Sequence, residues 1–148
     1  MSVINGCNLP DDYFYYIDKH VWAKPMDGDT IRVGMTTVAA KLSGGKLAAI
    51  TVKAKSIGTE VNQGKSIATV ESSKYVGPVP APISGVLLRG NDQLTTNPNL
   101  AISDPYGEGW IAEMKASDWS TQKETLLTGP EGLAKYKEKL DAEGISCA

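Results

Sequence analysis

From about residue 13 to residue 114, apolar and polar positions alternate over short runs broken by turn residues. Ile31, Val33 and Met35 alternate with Arg32 and Gly34, the period-two pattern of a half-buried strand, and Asp27-Gly28-Asp29 just before them is a turn signal. Residues 48–52 and 66–72 read as further strands, separated by 53–65, where Gly58 and Gly64 mark turns. Residues 83–88 form another strand candidate, entered through Pro82 and interrupted by Gly85. Residues 37–42 lack Gly and Pro and predict a short helix closed by Gly44-Gly45. The pattern predicts a mainly β protein. Two hairpin-like halves meeting near Lys74 would close a small flattened barrel or sandwich.

The period changes near the C-terminal end. Ser117 is placed to cap a helix running to about residue 127. Thr128-Gly129-Pro130 breaks it, and Pro130 suits the first turn of a second helix. There Leu133, Tyr136 and Leu140 share one stripe, and Gly144 is the stop. Packing over the β core explains this stripe; a partner-docking surface is the alternative.

Composition narrows the function classes. The 148 residues are 41% hydrophobic and 22% charged with a net charge of −2, a globular profile large enough for its own core. A slightly acidic chain lacks the basic face that general nucleic-acid binding needs. No apolar run is long enough to cross a bilayer, and the first ten residues lack a basic stretch followed by an apolar one. A cytoplasmic monomer is therefore expected, without nucleic-acid or membrane partners. Cys7 and Cys147 match no metal spacing and are read as two reduced thiols, with a terminal bridge as the alternative.

Equipment for catalysis is sparse. The one histidine, His20, sits beside Trp22 and reads as a structural residue; no Ser/His/Asp set can be built around it. Neither cysteine has an activating motif, Gly44-Gly45-Lys46 lacks the rest of a phosphate loop, and Asp11-Asp12 reads as solvated turn. A non-catalytic protein is expected, with no metal site. The segment Glu71-Ser72-Ser73-Lys74-Tyr75-Val76-Gly77-Pro78-Val79-Pro80-Ala81-Pro82 is more informative. A strand-like run ends at Lys74, and glycine and three prolines follow, which puts a lysine at a rigid exposed turn between strands. A covalently attached cofactor arm needs such a position; an ordinary surface lysine also fits it.

Neighbouring motifs decide between these. Val70-Glu71-Ser72-Ser73-Lys74 resembles the Val-Glu-Ser-x-Lys lipoylation segment of the glycine cleavage H-protein family, and Ala81-Pro82-Ile83-Ser84-Gly85 resembles its Ala-Pro-hydrophobic-Ser-Gly segment. Asn97-Pro98-Asn99-Leu100 and Asp104-Pro105-Tyr106-Gly107-Glu108-Gly109-Trp110 are similar to the family's long signature. His20-Val21-Trp22, and Gly28-Asp29 followed by Val33-Gly34-Met35-Thr36, resemble its upstream segments. The resemblance covers roughly residues 8–140. Pro105, Gly107 and Gly109 read as turn-shaping and Trp110 as packing; Tyr106 is open between packing and lining a groove.

The resemblance implies a barrel-sandwich hybrid of the lipoyl/biotinyl-carrier type with peripheral and C-terminal helices. It implies one lipoyl-carrier domain over 1–148, with the family-like core at about 8–116 and a helical extension at about 117–148. Lipoic acid would be joined by an amide to Lys74, and Glu71, Ser72, Ser73 and Tyr75 would recognise or shelter the arm. The Pro78-Pro80-Pro82 run and the segment 53–58 are further candidates for its cover. A lipoate-attaching ligase or transferase is an implied partner.

Departures from the family pattern surround the arm. Ser73-Lys74-Tyr75 replaces the commoner Val-Lys-Ala, Thr36-Thr37 stands where many members have Thr-Asp, and 52–58 is longer and more basic, with Lys53 and Lys55. The chain is also similar to the lipoate-binding proteins of heterodisulfide-reductase-like sulfur oxidation. That subgroup is the main expectation, with sulfur intermediates as cargo and a heterodisulfide-reductase-like complex as partner. The alternative is an H protein carrying an aminomethyl group for the glycine cleavage P, T and L proteins. An unmodified H-like interaction module is the alternative of another class. A biotin carrier fits poorly, because Ser73 and Tyr75 stand where methionines usually flank the lysine.

Overall fold

Strand formation follows the alternation. Ile31, Val33 and Met35 are buried while Arg32 is half-exposed, and this run is strand β5, Thr30–Met35. The computed structural model describes residues 2–148. Its other strands are β1 Ser2–Ile4, β2 Cys7–Leu9, β3 Phe14–Tyr16, β4 Val21–Pro25, β6 Ala49–Val52, β7 Glu60–Val61, β8 Ser66–Glu71, β9 Val76–Pro80, β10 Gly85–Gly90 and β11 Ala112–Ala116. The helices are α1 Thr37–Leu42, α2 Gln93–Thr96, α3 Leu100–Ser103, α4 Trp119–Gln122 and α5 Gly129–Glu143. A six-stranded sheet has the order β3-β4-β5-β11-β10-β7 and a three-stranded sheet the order β6-β8-β9, while β1 and β2 pair as a separate hairpin. Every named pairing is antiparallel. One core joins the two larger sheets: Ile31, Val33, Leu87 and Met114 from the first meet Ile50, Ile67, Val70 and Val79 from the second.

Helix α1 forms where local chemistry demands it. The Thr36 side chain caps it by accepting from the amides of Val38 and Ala39, and Val38 and Ala40 face inward. Gly44 and Gly45 follow with φ of 92° and 80°, conformations that favour glycine. α5 ends as expected at Gly144, whose φ of 67° gives a left-handed cap. Its stripe of Leu133, Tyr136 and Leu140 belongs to a second core with Tyr13, Tyr15, Trp22 and Val38.

Three expectations need correction. Cys7 and Cys147 form a disulfide with a Cα separation of 4.9 Å rather than staying as two thiols. The β1–β2 hairpin brings them together: the Cys147 amide donates to the Asn5 carbonyl at 2.9 Å, and the Asn5 side-chain amide donates to Ile145 O at 3.3 Å. Spacing along the chain carries no trace of that meeting. The strand expected at 83–88 starts at Gly85, because the Ser84 amide is taken by a side chain instead of a ladder partner. That amide donates to Gln122 Oε1 at 2.6 Å, and the Ser84 hydroxyl accepts from the Gln63 amide at 2.8 Å. Asp118, not Ser117, caps the helix after β11, and that helix passes into a 3-10 turn at Lys123–Thr125. Ser117 Oγ is taken by the Ser84 carbonyl at 2.9 Å. The second strand of the Lys74 turn is Val76–Pro80, which forms despite its prolines. It lies at the edge of the three-stranded sheet, where a missing N–H is tolerated.

Candidate functional site

β8 ends at Glu71 and β9 begins at Val76, so residues 72–75 are the tip of a hairpin. Ser72 fixes that tip. Its amide donates to the Tyr75 carbonyl at 2.7 Å, and its Oγ accepts from the amides of Lys74 at 3.2 Å and Tyr75 at 3.0 Å. A side-chain oxygen taking local amides in this way is a common turn device. Ser73 and Lys74 are exposed on the tip. The Lys74 stem crosses Gly44: a Cβ added to Gly44 would lie 3.0 Å from Lys74 Cδ and 3.7 Å from Cε. The bare backbone after α1 therefore gives the lysine stem its track. Tyr75 folds back so that its ring covers Gly77, where any Cβ would strike the phenol.

Beside the tip lies a cleft with a cavity volume of about 200 Å³. Val21 on β4, Met35 on β5, and Val70 and Val79 on the hairpin give it an apolar floor. Leu42 and Ser43 at the end of α1, with Tyr75 and Pro78, form one side, and Asp18, Lys19, His20 and Glu143 bound the other. Of its lining, Leu42 and Tyr75 are large apolar side chains left exposed. Of the residues expected around the arm, Tyr75 and Pro78 line this cleft. Ser72 shapes the turn, Ser73 stands on the tip, and Glu71 is exposed opposite Val76 in the ladder. Pro80 and Pro82 are buried, and the 53–58 segment lies elsewhere, with the Gly58 amide on the Leu87 carbonyl of β10 at 2.7 Å; neither covers the cleft. Tyr106 packs: its ring meets Tyr13 edge-on, and its hydroxyl donates to the Asn8 carbonyl at 2.6 Å.

His20 is buried at the cleft wall in a left-handed conformation, φ 58°. Its carbonyl accepts from the Thr36 amide at 3.0 Å, its Nδ1 is 2.7 Å from the Tyr136 hydroxyl, and its ring stacks on Tyr136. Burial pushes its pKa down to about 4 from 6.5; Lys139 and Lys19 act in the same direction, and Glu143 opposes them. Between these values the unfolded chain binds a proton that the folded chain refuses, so this contribution is intact above pH 6.5 and lost as pH falls towards 4. The loss amounts to about 3 kcal/mol. The lowered carboxyls of Asp11, Asp118 and Asp141 act below their ordinary value of 3.8, outside most of this window. Denaturant titrations from pH 7 to 4.5 are expected to show the decline in the parent and a much flatter profile in His20→Asn.

The sequence marks Lys74 and its flanks but not the far wall of the cleft. Asp18, Lys19 and His20 lie on the β3–β4 turn and Glu143 at the end of α5, and only the assembled fold brings them opposite Tyr75. The single linear signal was the His20-Val21-Trp22 segment, which a structural role also explains.

Comparison with known proteins agrees with this geometry. The family described as "Glycine cleavage H-protein" matches residues 14–140. Glycine cleavage system H protein 5 of Aquifex aeolicus is 40% identical, with 99% of each chain covered. The probable glycine cleavage system H protein 2 of Sulfolobus acidocaldarius is also 40% identical, over 99% of this chain and 97% of the relative. The crystal structure of a glycine cleavage system H protein from Mycobacterium marinum superposes with a TM-score of 0.69 at 29% identity, covering 86% of this chain and 98% of that one. With a mainly β lipoyl-carrier fold, an exposed lysine at a hairpin tip and these matches along its length, the chain belongs to the glycine cleavage H-protein family.

Proposed function

We propose that the chain is a lipoyl carrier, with lipoic acid joined by an amide to Lys74 Nζ, and that it serves glycine cleavage by holding the aminomethyl group between the P, T and L proteins. H proteins carry lipoic acid on a lysine, and the observation that carries the assignment here is the placing of Lys74. It is exposed on a tip locked by Ser72, its stem runs over Gly44, and its chain neighbour Tyr75 lines the adjacent cleft. A ligase or transferase can reach such an amine, and the backbone holds it still. When bound, lipoamide supplies a dithiolane that takes up and releases the carried group. Tethering raises the concentration of that group at each partner's site.

The chain's own residues supply presentation and shelter. Val21, Met35, Val70 and Val79 offer an apolar surface, and Tyr75 lines the same cleft. Burying an arm there gains at most about 0.8 kcal/mol per methylene, much of it offset by ordering a flexible chain. Docking is therefore marginal, and the arm divides its time between the cleft and extension towards partners.

The names of the relatives support glycine cleavage. Ser73 and Tyr75 beside the lysine favour a second reading, in which the arm carries sulfur intermediates for a heterodisulfide-reductase-like complex. A reconstituted glycine cleavage assay separates the two. Lipoylated chain that replaces an authentic H protein at comparable rate supports the first reading. Failure there, with transfer by a heterodisulfide-reductase-like system, supports the second.

A further inference from the structure

One ring nitrogen of His20 is committed and the other is not. Thr36 Oγ1 accepts from the Val38 and Ala39 amides as the cap of α1, which uses both of its lone pairs. Its own proton is then left for the Tyr136 oxygen, 3.3 Å away, and the Tyr136 hydroxyl donates in turn to His20 Nδ1 at 2.7 Å. That chain of donors fixes the proton of a neutral imidazole on Nε2. Among the described residues nothing bonds Nε2, yet no buried polar side-chain atom is left orphaned, so Nε2 keeps access to solvent. The cleft is the open space that His20 borders. The Thr36 amide on the His20 carbonyl fixes the backbone, and the ring is placed by the Tyr136 hydroxyl and by stacking on Tyr136.

We propose that His20 presents an Nε2–H donor to the cleft and so selects the cargo of the docked arm, favouring end groups that accept a hydrogen bond over an ammonium. The proposal rests on the reading of the cleft as the dock of a Lys74-linked arm. Thiolate or persulfide sulfur, carboxylate or sulfonate oxygen, and an unprotonated amine are acceptors for this donor. An ammonium offers only donors, and the floor of Val21, Met35, Val70 and Val79 gives it no acceptor. The rim carboxylates Asp18 and Glu143 are offset by cations: Lys19 shares the lining, and Lys139 pairs with Glu143 at 3.3 Å. Carried as an aminomethyl group, the cargo would dock as the free amine. His20 is thus a specificity residue, and Tyr136 and Thr36 are positioning residues acting through it.

The single histidine makes the test direct, because one imidazole gives one set of ring signals. Lipoylated full-length chain with 15N-histidine is reduced by dihydrolipoyl dehydrogenase and NADH. Separate samples are alkylated with iodoacetate, iodoacetamide or 2-bromoethylamine, and intact mass confirms addition to the arm alone. At pH 7 long-range proton–nitrogen correlations are expected to show the Nε2–H tautomer. The carboxymethyl and carbamidomethyl arms should move the Nε2 resonance, and the aminoethyl arm should leave it in place. His20→Asn should lower the docked fraction of the carboxymethyl arm on the order of tenfold and leave the aminoethyl arm unchanged. Tyr136→Phe keeps the ring but frees Nδ1, and should blur the tautomer and the selectivity together. An Nδ1–H tautomer, or an aminoethyl arm that moves Nε2 as much as the carboxymethyl arm, overturns the proposal. If the amides of Val21, Met35 and Val79 shift with all three arms while Nε2 stays silent, the proposal fails and the dock stands. If those amides shift with none, the dock fails as well.

Discussion

Replacing both cysteines in Cys7→Ala/Cys147→Ala is expected to cost about 4 to 5 kcal/mol of unfolding free energy, read by urea titration of the oxidised parent against the variant. The two residues are 140 apart, so the bridge closes nearly the whole chain. In the chain-entropy account a crosslink acts on the unfolded state, and its effect grows with the loop it closes. Alanine is the right replacement because Cys7 is fully buried, and a serine hydroxyl there would add a separate desolvation cost. The urea dependence should also steepen, since an uncrosslinked chain exposes more surface on unfolding. The loss should be most visible locally at the β1–β2 hairpin and the segment after α5, which bond each other through Asn5, Ile145 and Cys147. A change below about 1 kcal/mol with an unchanged slope would mean that the bridge does little for this fold.

Lys74→Arg is expected to abolish carrier function while leaving the fold intact. Arginine keeps the charge and a long stem, but its guanidinium does not stand in for the amine that forms the lipoyl amide. Lys74 is exposed, and its fixed contacts are a backbone amide on Ser72 Oγ and a stem on Gly44, so the change should move stability by no more than about 0.5 kcal/mol. After incubation with a competent lipoate ligase, the parent should accept electrons from NADH through dihydrolipoyl dehydrogenase and the variant should accept none. Retained turnover in the variant would move the arm to another lysine.

Much of the architecture was legible where local chemistry decides it. β5 follows from the alternation of Ile31, Val33 and Met35, and α1 lies where a stretch without Gly or Pro ends at Gly44-Gly45. The stop at Gly144 and the stripe of Leu133, Tyr136 and Leu140 were equally direct, because helical spacing and a left-handed cap are written in adjacent residues. What escaped depended on neighbours distant in sequence. Pro78 and Pro80 look like turn residues until β9 is known to be an edge strand. Ser117 looks like a cap until Ser84 claims its hydroxyl. Cys7 and Cys147 look like lone thiols until Asn5 pulls the two ends together. The hairpin half of the candidate site, with Lys74 and Tyr75, was readable because it is contiguous, whereas the His20 and Glu143 wall comes from separate elements.

The central claim is that Lys74 is the lipoyl attachment point, and peptide-level tandem mass spectrometry of the lipoylated chain tests it most directly. The account predicts the lipoyl mass on the peptide containing Ser72-Ser73-Lys74-Tyr75, with fragment ions placing it on Lys74, and unmodified Lys46 and Lys65. Lipoate mapped to Lys65 or any other lysine, or a chain that a competent ligase leaves wholly unmodified, would contradict it.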